Sequence, residues 1–398
     1  MSMIGGNVKL ELLYPTVNEA AIYPVVKPVS DTAVEFTPED LHPTGRSPVA
    51  VTHDITGSTY TFTVVDKNFW FFDAPSGAKA ANTYVLTFDA LGGTSGISLL
   101  NADILKNDMG FRASDITATG NQLSINLSGH AHASQSQLGL QLGFLVQGTG
   151  NADALSGMEG RDRLEGGAGN DRLTGGAGAD QLIGGTGSDT ASYATAASGL
   201  IADLTKSANN TGDAAGDSFD SIENLEGSAF ADRLTGSAEK NILTGGAGDD
   251  TLFGLAGNDS LYGGDGNDSL DGGAGNDRIF GELGKDILTG GAGKDIFFFK
   301  TIGDSTATAA GRDTITDFSG KGGDKIHLAF IDADTTRAGN QAFDFIGTKN
   351  FTGDAGELRY KKLGGDVYIY ADVDGDKKAD FSLHLDGVTE LQKGYFFL

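Results

Sequence analysis

Between Gly227 and Phe298 the apolar residues recur once every nine positions. Eight nine-residue units follow one another here in unbroken register, and each begins with glycine. The clearest copy, Gly263 to Asp271, reads Gly-Gly-Asp-Gly-Asn-Asp-Ser-Leu-Asp. Glycines at positions one, two and four allow a tight turn, and positions seven to nine suit a short strand with one inward side chain. The pattern therefore predicts stacked coils of two units each around a thin apolar core.

An upstream array holds five further units between Gly148 and Ser192. Over both arrays the inward eighth position is Leu, Ile or Phe in twelve of thirteen units, and Ala191 takes this place in the other. Because a solvated glycine-rich linker would not keep an apolar residue in this register, the pattern favours a folded array. The predicted core residues are Leu155, Leu164, Leu173, Leu182, Leu234, Leu243, Leu252, Leu261, Leu270, Ile279, Leu288 and Phe297.

Position six of the unit carries the chemistry, because it is Asp in twelve of the thirteen units and Asn241 in the other. Coils stacked about 4.8 Å apart bring these carboxylates together, where they would repel one another without a cation. Carboxylate and turn carbonyl oxygens are hard ligands, which suit Ca²⁺ rather than a soft metal. The predicted calcium ligands are Asp153, Asp162, Asp171, Asp180, Asp189, Asp232, Asp250, Asp259, Asp268, Asp277, Asp286 and Asp295. The predicted turn positions of these sites are Gly166, Gly169, Gly175, Gly178, Gly245, Gly248, Gly254, Gly257, Gly263, Gly266, Gly272 and Gly275.

The unit Gly-Gly-x-Gly-x-Asp-x-Leu-x resembles the calcium-binding nonapeptide repeat of RTX proteins. This resemblance implies a parallel β-roll that binds several Ca²⁺ ions and folds on the metal. The unit from Gly236 to Thr244 has lost glycine at positions two and four and carries Asn241 at position six. We therefore expect this unit to contribute no tight calcium site.

Residues 299–398 resemble the C-terminal domain of serralysin-type metalloproteases. The segments that carry this resemblance are Asp313–Phe318, Gly323–Leu328, Phe343–Gly347 and Phe351–Tyr360. In that family the domain caps the β-roll and carries a type I secretion signal, so the resemblance implies export from a bacterial cell by type I secretion machinery. The end of the chain, Tyr395 to Leu398, keeps the apolar part of the family's tail and lacks its acidic residue.

Residues 1–146 contain short segments in which apolar and polar positions alternate, which predicts an all-β, sandwich-like domain. These segments include Val8–Leu12, Tyr60–Val64, Tyr84–Phe88, Leu123–Leu127 and Leu138–Val146. Two features there leave alternatives open. His130 and His132 are either a metal-binding pair or a solvent-facing pair beside a turn, and we favour the second. Phe69–Phe72 is either a sugar-binding platform or a buried strand, and we again favour the second.

Between the two arrays the nine-residue register is broken, and within the break Leu200–Leu204 suits a strand that continues the roll. In the last part of the chain, Asp372–Asp380 resembles a calcium loop, but its glycine comes one residue early for an EF-hand and no Glu closes it. A polar hairpin turn is the favoured interpretation. The predicted divisions of the chain are an N-terminal domain at 1–146, a first array at 147–192, an interruption at 193–226, a second array at 227–298 and a C-terminal domain at 299–398.

The chain is strongly acidic, with 28 basic and 54 acidic residues and a net charge of −26. Nucleic acids and anionic membranes are therefore poor partners, and divalent cations are good ones. The chain contains no cysteine, so metal ions rather than disulfides would stabilise a secreted form. We find neither a Sec-type signal pattern nor an apolar run of about 20 residues, which suits a leaderless exported protein.

Sequence motifs of common secreted hydrolases are missing. None of the six histidines begins a His-Glu-x-x-His zinc motif, no Gly-x-Ser-x-Gly motif occurs, and cysteine nucleophiles are excluded by composition. The leading hypothesis is a secreted, non-enzymatic calcium-binding protein whose N-terminal domain binds a cell-surface glycan or another extracellular partner. The alternative is a secreted polysaccharide hydrolase or lyase with its active site in residues 1–146, because paired carboxylates leave no sequence motif.

Overall fold

The structure, a computed structural model, describes the strands within residues 1–144 by their backbone and residues 145–398 in full, apart from residues 158 and 159. Strands make up nearly all of its regular structure, which confirms the predicted all-β class. The chain divides into two compact regions, residues 1–187 and residues 188–398, and the division falls within the first predicted array. His130, His132 and Phe69–Phe72 lie outside the described residues. No helix among the described residues is long and apolar enough to cross a membrane.

The described part of residues 1–147 forms two antiparallel sheets. Its strands are β1 (Asn7–Leu13), β2 (Val25–Pro28), β3 (Val51–Thr56), β4 (Thr59–Val64), β5 (Thr83–Asp89), β6 (Ile97–Asn107), β7 (Ile116–Thr119), β8 (Gln122–Asn126) and β9 (Gln137–Gln147). One sheet has the strand order β2-β1-β5-β8-β7. In the other, β9 pairs with β4 and β6, and β4 pairs with β3. All five alternating segments that the sequence analysis singled out overlap these strands.

The first array consists of parallel strands, one of which pairs with β9. These are β10 (Ala154–Ser156), β11 (Arg163–Ala168), β12 (Arg172–Thr174) and β13 (Gln181–Thr186). Leu155 of β10 pairs with Leu173 of β12, and Leu164 of β11 pairs with Leu182 of β13. Leu164 also pairs with Val146 of β9. Because partners are eighteen residues apart, two nine-residue units make one coil, as predicted.

The same parallel register runs through the second array. Its strands, together with those of the preceding segment, are β14 (Thr190–Ser192), β15 (Ile201–Asp203), β16 (Ser218–Asp220), β17 (Asn224–Glu226), β18 (Arg233–Thr235), β19 (Ile242–Ala247), β20 (Thr251–Phe253), β21 (Ser260–Asp265), β22 (Ser269–Asp271), β23 (Ala274–Gly275), β24 (Arg278–Leu283), β25 (Ile287–Thr289), β26 (Ala292–Gly293) and β27 (Ile296–Phe298). Leu243 of β19 pairs with Leu261 of β21, and Leu252 of β20 pairs with Leu270 of β22. The strands therefore alternate between two parallel sheets.

The predicted inward residues from Leu164 onward form the core of the coils, whereas Leu155, in the first unit, is only half-buried. Leu234, Leu243, Leu252 and Leu261 are 0 % exposed, so the thin apolar column has no contact with water. At position nine of alternate units, Tyr262, Phe280 and Phe298 stack in order along one sheet. The ring centroids of Tyr262 and Phe280 are 4.5 Å apart, and those of Phe280 and Phe298 are 4.4 Å apart. The 18-residue repeat thus brings like side chains into contact from coil to coil.

The segment between the arrays is folded onto the same stack. In β15, Ala202 pairs with Leu234 of β18, so the segment supplies strands to both sheets. In β17, Leu225 pairs with Leu243 and is 1 % exposed. Short 3-10 helices at Ser207–Asn209 and Gly212–Ala214 form the excursion between these strands. The Tyr193 hydroxyl donates a 2.8 Å hydrogen bond to Asp217 and fastens the excursion to the roll.

The C-terminal residues extend both sheets and then cap them. Their strands are β28 (Asp313–Ile315), β29 (Lys325–His327), β30 (Asp344–Gly347), β31 (Glu357–Leu363), β32 (Asp366–Asp372), β33 (Phe381–Leu385) and β34 (Phe396–Phe397), with a 3-10 helix at Lys393–Tyr395. Ile315 pairs with Leu288 in one sheet, and Ile326 pairs with Phe297 in the other. Beyond β28, the strands β33, β32 and β31 continue as an antiparallel meander. Residues 373–380 form the turn of the β32–β33 hairpin, so the predicted hairpin is present.

Position four of the repeat brings neighbouring coils into close backbone contact. Gly266 and Gly275 have φ angles of 148° and 151°, in the range that favours glycine. A Cβ atom at Gly275 would lie 1.4 Å from the carbonyl oxygen of Gly257, one coil earlier. Only glycine therefore permits this spacing of the coils.

Replacing Gly275 with Ala should destabilise the calcium-loaded protein by about 2 kcal/mol or more, since the new Cβ adds backbone strain and clashes with the preceding coil. Chemical denaturation at saturating calcium measures this loss. Gly303→Ala is the matched control, because a Cβ there meets nothing closer than 3.4 Å. Equal stability of the two variants would contradict the close approach of the coils.

Candidate calcium sites

The Asp at position six uses one carboxylate oxygen to join successive coils. The backbone N–H of Asp250 donates a 2.8 Å hydrogen bond to Oδ1 of Asp268, its counterpart one coil later. The N–H of Asp259 does the same to Oδ1 of Asp277, also at 2.8 Å. The bond recurs in the first array, where Asp162 N–H donates to Asp180 Oδ1. One oxygen of each carboxylate is thereby committed to the stack.

In the second array the other carboxylate oxygen is buried and has no hydrogen-bond partner. This holds for Oδ2 of Asp250, Asp259, Asp268, Asp277, Asp286 and Asp295. A buried, ionised oxygen without a partner is costly, and a bound cation is one way to compensate it. Because the six oxygens repeat in register, the feature belongs to the repeat and not to a local defect.

In the units of Asp250, Asp259, Asp268 and Asp277, this oxygen and a backbone carbonyl of the next coil both lie beside the first glycine of the unit. A Cβ at Gly263 would lie 2.3 Å from Asp268 Oδ2 and 2.7 Å from the carbonyl oxygen of Gly281. At Gly254 the corresponding distances, to Asp259 Oδ2 and the Gly272 carbonyl, are both 2.5 Å. Any side chain at position one would fill this space. The converging atoms are carboxylate and carbonyl oxygens, which is the donor set that Ca²⁺ takes.

Burial also makes the ionised carboxylates unfavourable in the absence of a cation. Desolvation raises the pKa of Asp250 and of Asp259 to about 7, and that of Asp268 to about 6. Because the folded state then holds protons that the unfolded state releases above its ordinary pKa near 4, the metal-free coils lose stability as the pH rises from about 4 to 7. A divalent cation between the coils removes this penalty by neutralising the charge.

Comparison with protein families agrees with this donor set. Residues 148–191 match the RTX calcium-binding nonapeptide repeat in four copies, and residues 240–397 match the serralysin C-terminal domain of M10 peptidases. The chain carries RTX calcium-binding repeats and a serralysin-type C-terminal domain. No protease catalytic domain is matched, and no curated protein matches the chain significantly.

Solved structures with similar segments include two modules of an Azotobacter vinelandii mannuronan C5-epimerase, the R3 and R2 subunits of AlgE6. The R3 subunit is 24 % identical over 42 % of this chain and 78 % of its own length, with a TM-score of 0.24. The R2 subunit is 26 % identical over 41 % of this chain and 90 % of its own length, with a TM-score of 0.23. The extracellular lipase LipA of Serratia marcescens is 19 % identical over 63 % of this chain and 39 % of its own length, with a TM-score of 0.19. Similarities with TM-scores this low carry no functional argument.

Two further Asp residues extend the RTX ligand columns, and neither was predicted from the sequence. Asp286 N–H donates to Oδ1 of Asp313, and Asp295 N–H donates to Oδ1 of Asp324. Oδ2 of Asp313 is buried without a partner, and desolvation followed by the nearby Asp286 charge raises its pKa. Asp313 lies 27 positions after its partner, which is three units instead of the two that make one coil, and Asp324 lies 29 positions after its partner, which is not a multiple of nine. The 18-residue coil period therefore predicts neither residue. The shared tripeptide Asp-x-Ile, which spans β28 and starts one residue before β29, is the signal that could have found them.

In three RTX units the side chain at position six forms hydrogen bonds that it lacks in the six units described above. Asp153 and Asp232, which the sequence predicts as calcium ligands, accept hydrogen bonds on Oδ2 from Thr149 and Ser228 at position two of their own units. In the third unit, the Asn241 side-chain amide donates to the Glu223 carbonyl at 2.6 Å. Position six is thus already hydrogen-bonded in these units.

Other acidic groups of the C-terminal domain bind its backbone. Both oxygens of Asp372 accept backbone N–H groups of the hairpin turn, from Gly375 at 2.7 Å and Lys377 at 2.9 Å. Asp366 lies 3.2 Å from His384 Nε2 and also accepts the Gly387 N–H. Each group therefore has a structural role in its hairpin.

Replacing Asp268 with Asn should raise the calcium concentration needed for folding severalfold. The amide keeps one oxygen for the Asp250 N–H, but it puts an uncharged NH₂ group in place of the metal-facing oxygen. Calcium titration followed by circular dichroism measures the shift. Asp265→Asn, in the same turn, removes the same charge from an exposed side chain and should have little effect. Equal shifts for the two variants would show that general charge, and not position six, controls folding.

Proposed function

We propose that the protein is an exported calcium-binding protein whose RTX arrays fold when they meet calcium outside the cell. The observation that carries this proposal is the two columns of three buried carboxylate oxygens in the second array, none of which has a hydrogen-bond partner. These oxygens recur at the same position of each unit, and in the four units of Asp250, Asp259, Asp268 and Asp277 a carbonyl of the next coil lies beside the same glycine. Several ions in a row would satisfy them together.

Calcium is needed because the apolar core of the coils is thin. Each nine-residue unit buries one core side chain, while its glycines lose much conformational entropy on folding. The acidic side chains add repulsion, in a chain whose net charge is −26. One site filled at ten times its Kd contributes only about 1.4 kcal/mol, so several sites must fill together to fold the roll.

We expect a steep, cooperative gain of β-sheet circular dichroism between roughly 10⁻⁴ and 10⁻³ M Ca²⁺, the affinity range of extracellular calcium modules. The same concentration of Mg²⁺ should give much less signal, because Mg²⁺ demands a tighter octahedron and retains its water. Identical circular dichroism spectra in EGTA and in millimolar calcium would refute the proposal.

Export is supported by the match of residues 240–397 to the serralysin C-terminal domain. Chains with this domain are type I secretion substrates, and we propose the same route here. The cytosolic calcium concentration lies far below the range above, so the arrays would stay unfolded during transport and fold outside. Folding outside the cell would also oppose return of the chain.

Deleting residues 349–398 should retain the protein inside cells that carry a type I transporter, because the proposed signal lies in this region. The fraction of protein in the medium, measured by immunoblot, reports export. Deleting residues 7–64 is the control, and this variant should still reach the medium. Export of the first variant at the level of the intact chain would place the signal elsewhere.

We further propose that the protein acts by binding, through residues 1–146, and that it is not an enzyme. The sequence lacks the common hydrolase motifs, and the matched segments are repeats and a C-terminal domain. A glycan array and a polysaccharide-degradation assay, both with the calcium-loaded full-length protein, distinguish the possibilities. Turnover of a polysaccharide would favour the alternative of a secreted hydrolase or lyase.

A further inference from the structure

The second array begins with one coil whose turns differ from all that follow. This coil consists of the units Gly227–Thr235 and Gly236–Thr244, which carry Ser228 and Ser237 at position two. In the next six units position two has a left-handed backbone, with φ between 69° and 116°. Two of those six residues are not glycine, since Leu255 has a φ of 76° and Glu282 a φ of 69°. Ser228 and Ser237 do not have positive φ angles.

In this turn, the backbone N–H and the hydroxyl of the residue at position two lie within hydrogen-bond distance of the side chain at position six. Ser228 donates its N–H to Asp232 Oδ2 at 2.5 Å, and its hydroxyl lies 2.9 Å from the same oxygen. The hydroxyl also accepts the N–H of Phe230 at 3.1 Å. On the other oxygen, Asp232 Oδ1 accepts the N–H of Leu200. Both carboxylate oxygens are thus hydrogen-bonded without a metal.

The second unit of the coil reaches the same result with an amide. Ser237 N–H donates to Asn241 Oδ1 at 2.7 Å, and the Asn241 NH₂ group donates to Glu223 O at 2.6 Å and lies 3.2 Å from Ser237 Oγ. Asn241 is 0 % exposed, so these bonds satisfy a fully buried group. An NH₂ group thus lies where the other units have an oxygen without a partner. A cation at that point would be repelled by this donor.

The correlation within the second array is complete. The six units with a left-handed position two have a buried Oδ2 without a partner, and the two units with Ser at position two have a hydrogen-bonded position six. The first unit of the upstream array follows the same rule. There, Thr149 donates its N–H at 2.6 Å and its hydroxyl at 2.8 Å to Asp153 Oδ2.

We propose that the hydroxyl residue at position two replaces the calcium ion, so that the coil at 227–244 and the unit at 148–156 are metal-independent starting turns of the two arrays. Position two is then the specificity-determining residue of each unit. Asp153 and Asp232 serve as hydrogen-bond acceptors there and not as calcium ligands. This inference rests on calcium binding by the remaining units, as proposed above.

Leu255 is the best position for a test. It is a non-glycine residue at position two with a left-handed backbone, and its side chain is 43 % exposed. Leu255→Ser should convert the unit of Asp259 to the hydrogen-bonded turn, so the full-length protein should bind one calcium ion fewer. Leu255→Ala is the matched control, because it removes the same exposed side chain and offers no hydroxyl. Its calcium stoichiometry should equal that of the unaltered protein. Isothermal titration with CaCl₂ gives the stoichiometry, and circular dichroism checks that both variants fold.

Replacing the hydroxyl residue at position two with glycine provides a second, independent test. Ser228→Gly frees Asp232 Oδ2 and should add one calcium ion, and Asp232→Asn in that background should remove the added ion. In the unaltered protein, Asp232→Asn should leave the stoichiometry unchanged. Equal stoichiometry for Leu255→Ser and Leu255→Ala, or loss of an ion on Asp232→Asn alone, would overturn the inference. Failure of the unaltered protein to take up calcium would instead refute the proposed function.

Discussion

The structure depends on how each repeated carboxylate divides its two oxygens. Oδ1 accepts a backbone N–H from the preceding coil, as between Asp250 and Asp268, and this bond sets the stacking of the turns. Oδ2 lies beside the first glycine of its unit, and in the units of Asp250, Asp259, Asp268 and Asp277 a carbonyl of the following coil lies there too. The first interaction can form without metal, whereas the second leaves a buried oxygen that a cation must compensate. One Asp side chain therefore serves both purposes, since its Oδ1 stacks the coils and its Oδ2 is available to a metal ion.

This division explains why the repeat tolerates so little variation at its glycines. Position one must leave room for the Asp oxygen and the carbonyl, and position four must allow the coils to approach closely. Position two is less strict, since Leu255 and Glu282 occupy it with left-handed backbones. Such a conformation costs a non-glycine residue about 1–2 kcal/mol. The Glu282 side chain forms a 2.6 Å ion pair with Lys300.

The C-terminal domain continues the roll before it closes it. Asp313 and Asp324 take the places of the next two repeat carboxylates, and Ile315 and Ile326 take the places of the next two core residues. At the end of one sheet, Phe396 pairs with Ile326, so the last residues of the chain form the outermost strand there. Asp324 Oδ2 accepts the Ser319 N–H, which closes its column with a hydrogen bond.

The sequence by itself determined the coil period, the apolar column and the identity of the repeated carboxylates. It could do so because one nine-residue pattern sets turn, strand and inward position together, so that Leu243 and Leu261 pair where the register places them. It also predicted the hairpin turn at Asp372–Asp380. Only the tertiary structure decided which carboxylates remain open to a metal. Asp232 and Asp268 occupy the same position of the repeat, yet the backbone angle at Ser228 lets its N–H and hydroxyl reach the first, while Gly264 turns away from the second. Asp313 and Asp324 likewise join their columns 27 and 29 residues after their partners, because the chain after Phe298 departs from the 18-residue coil period.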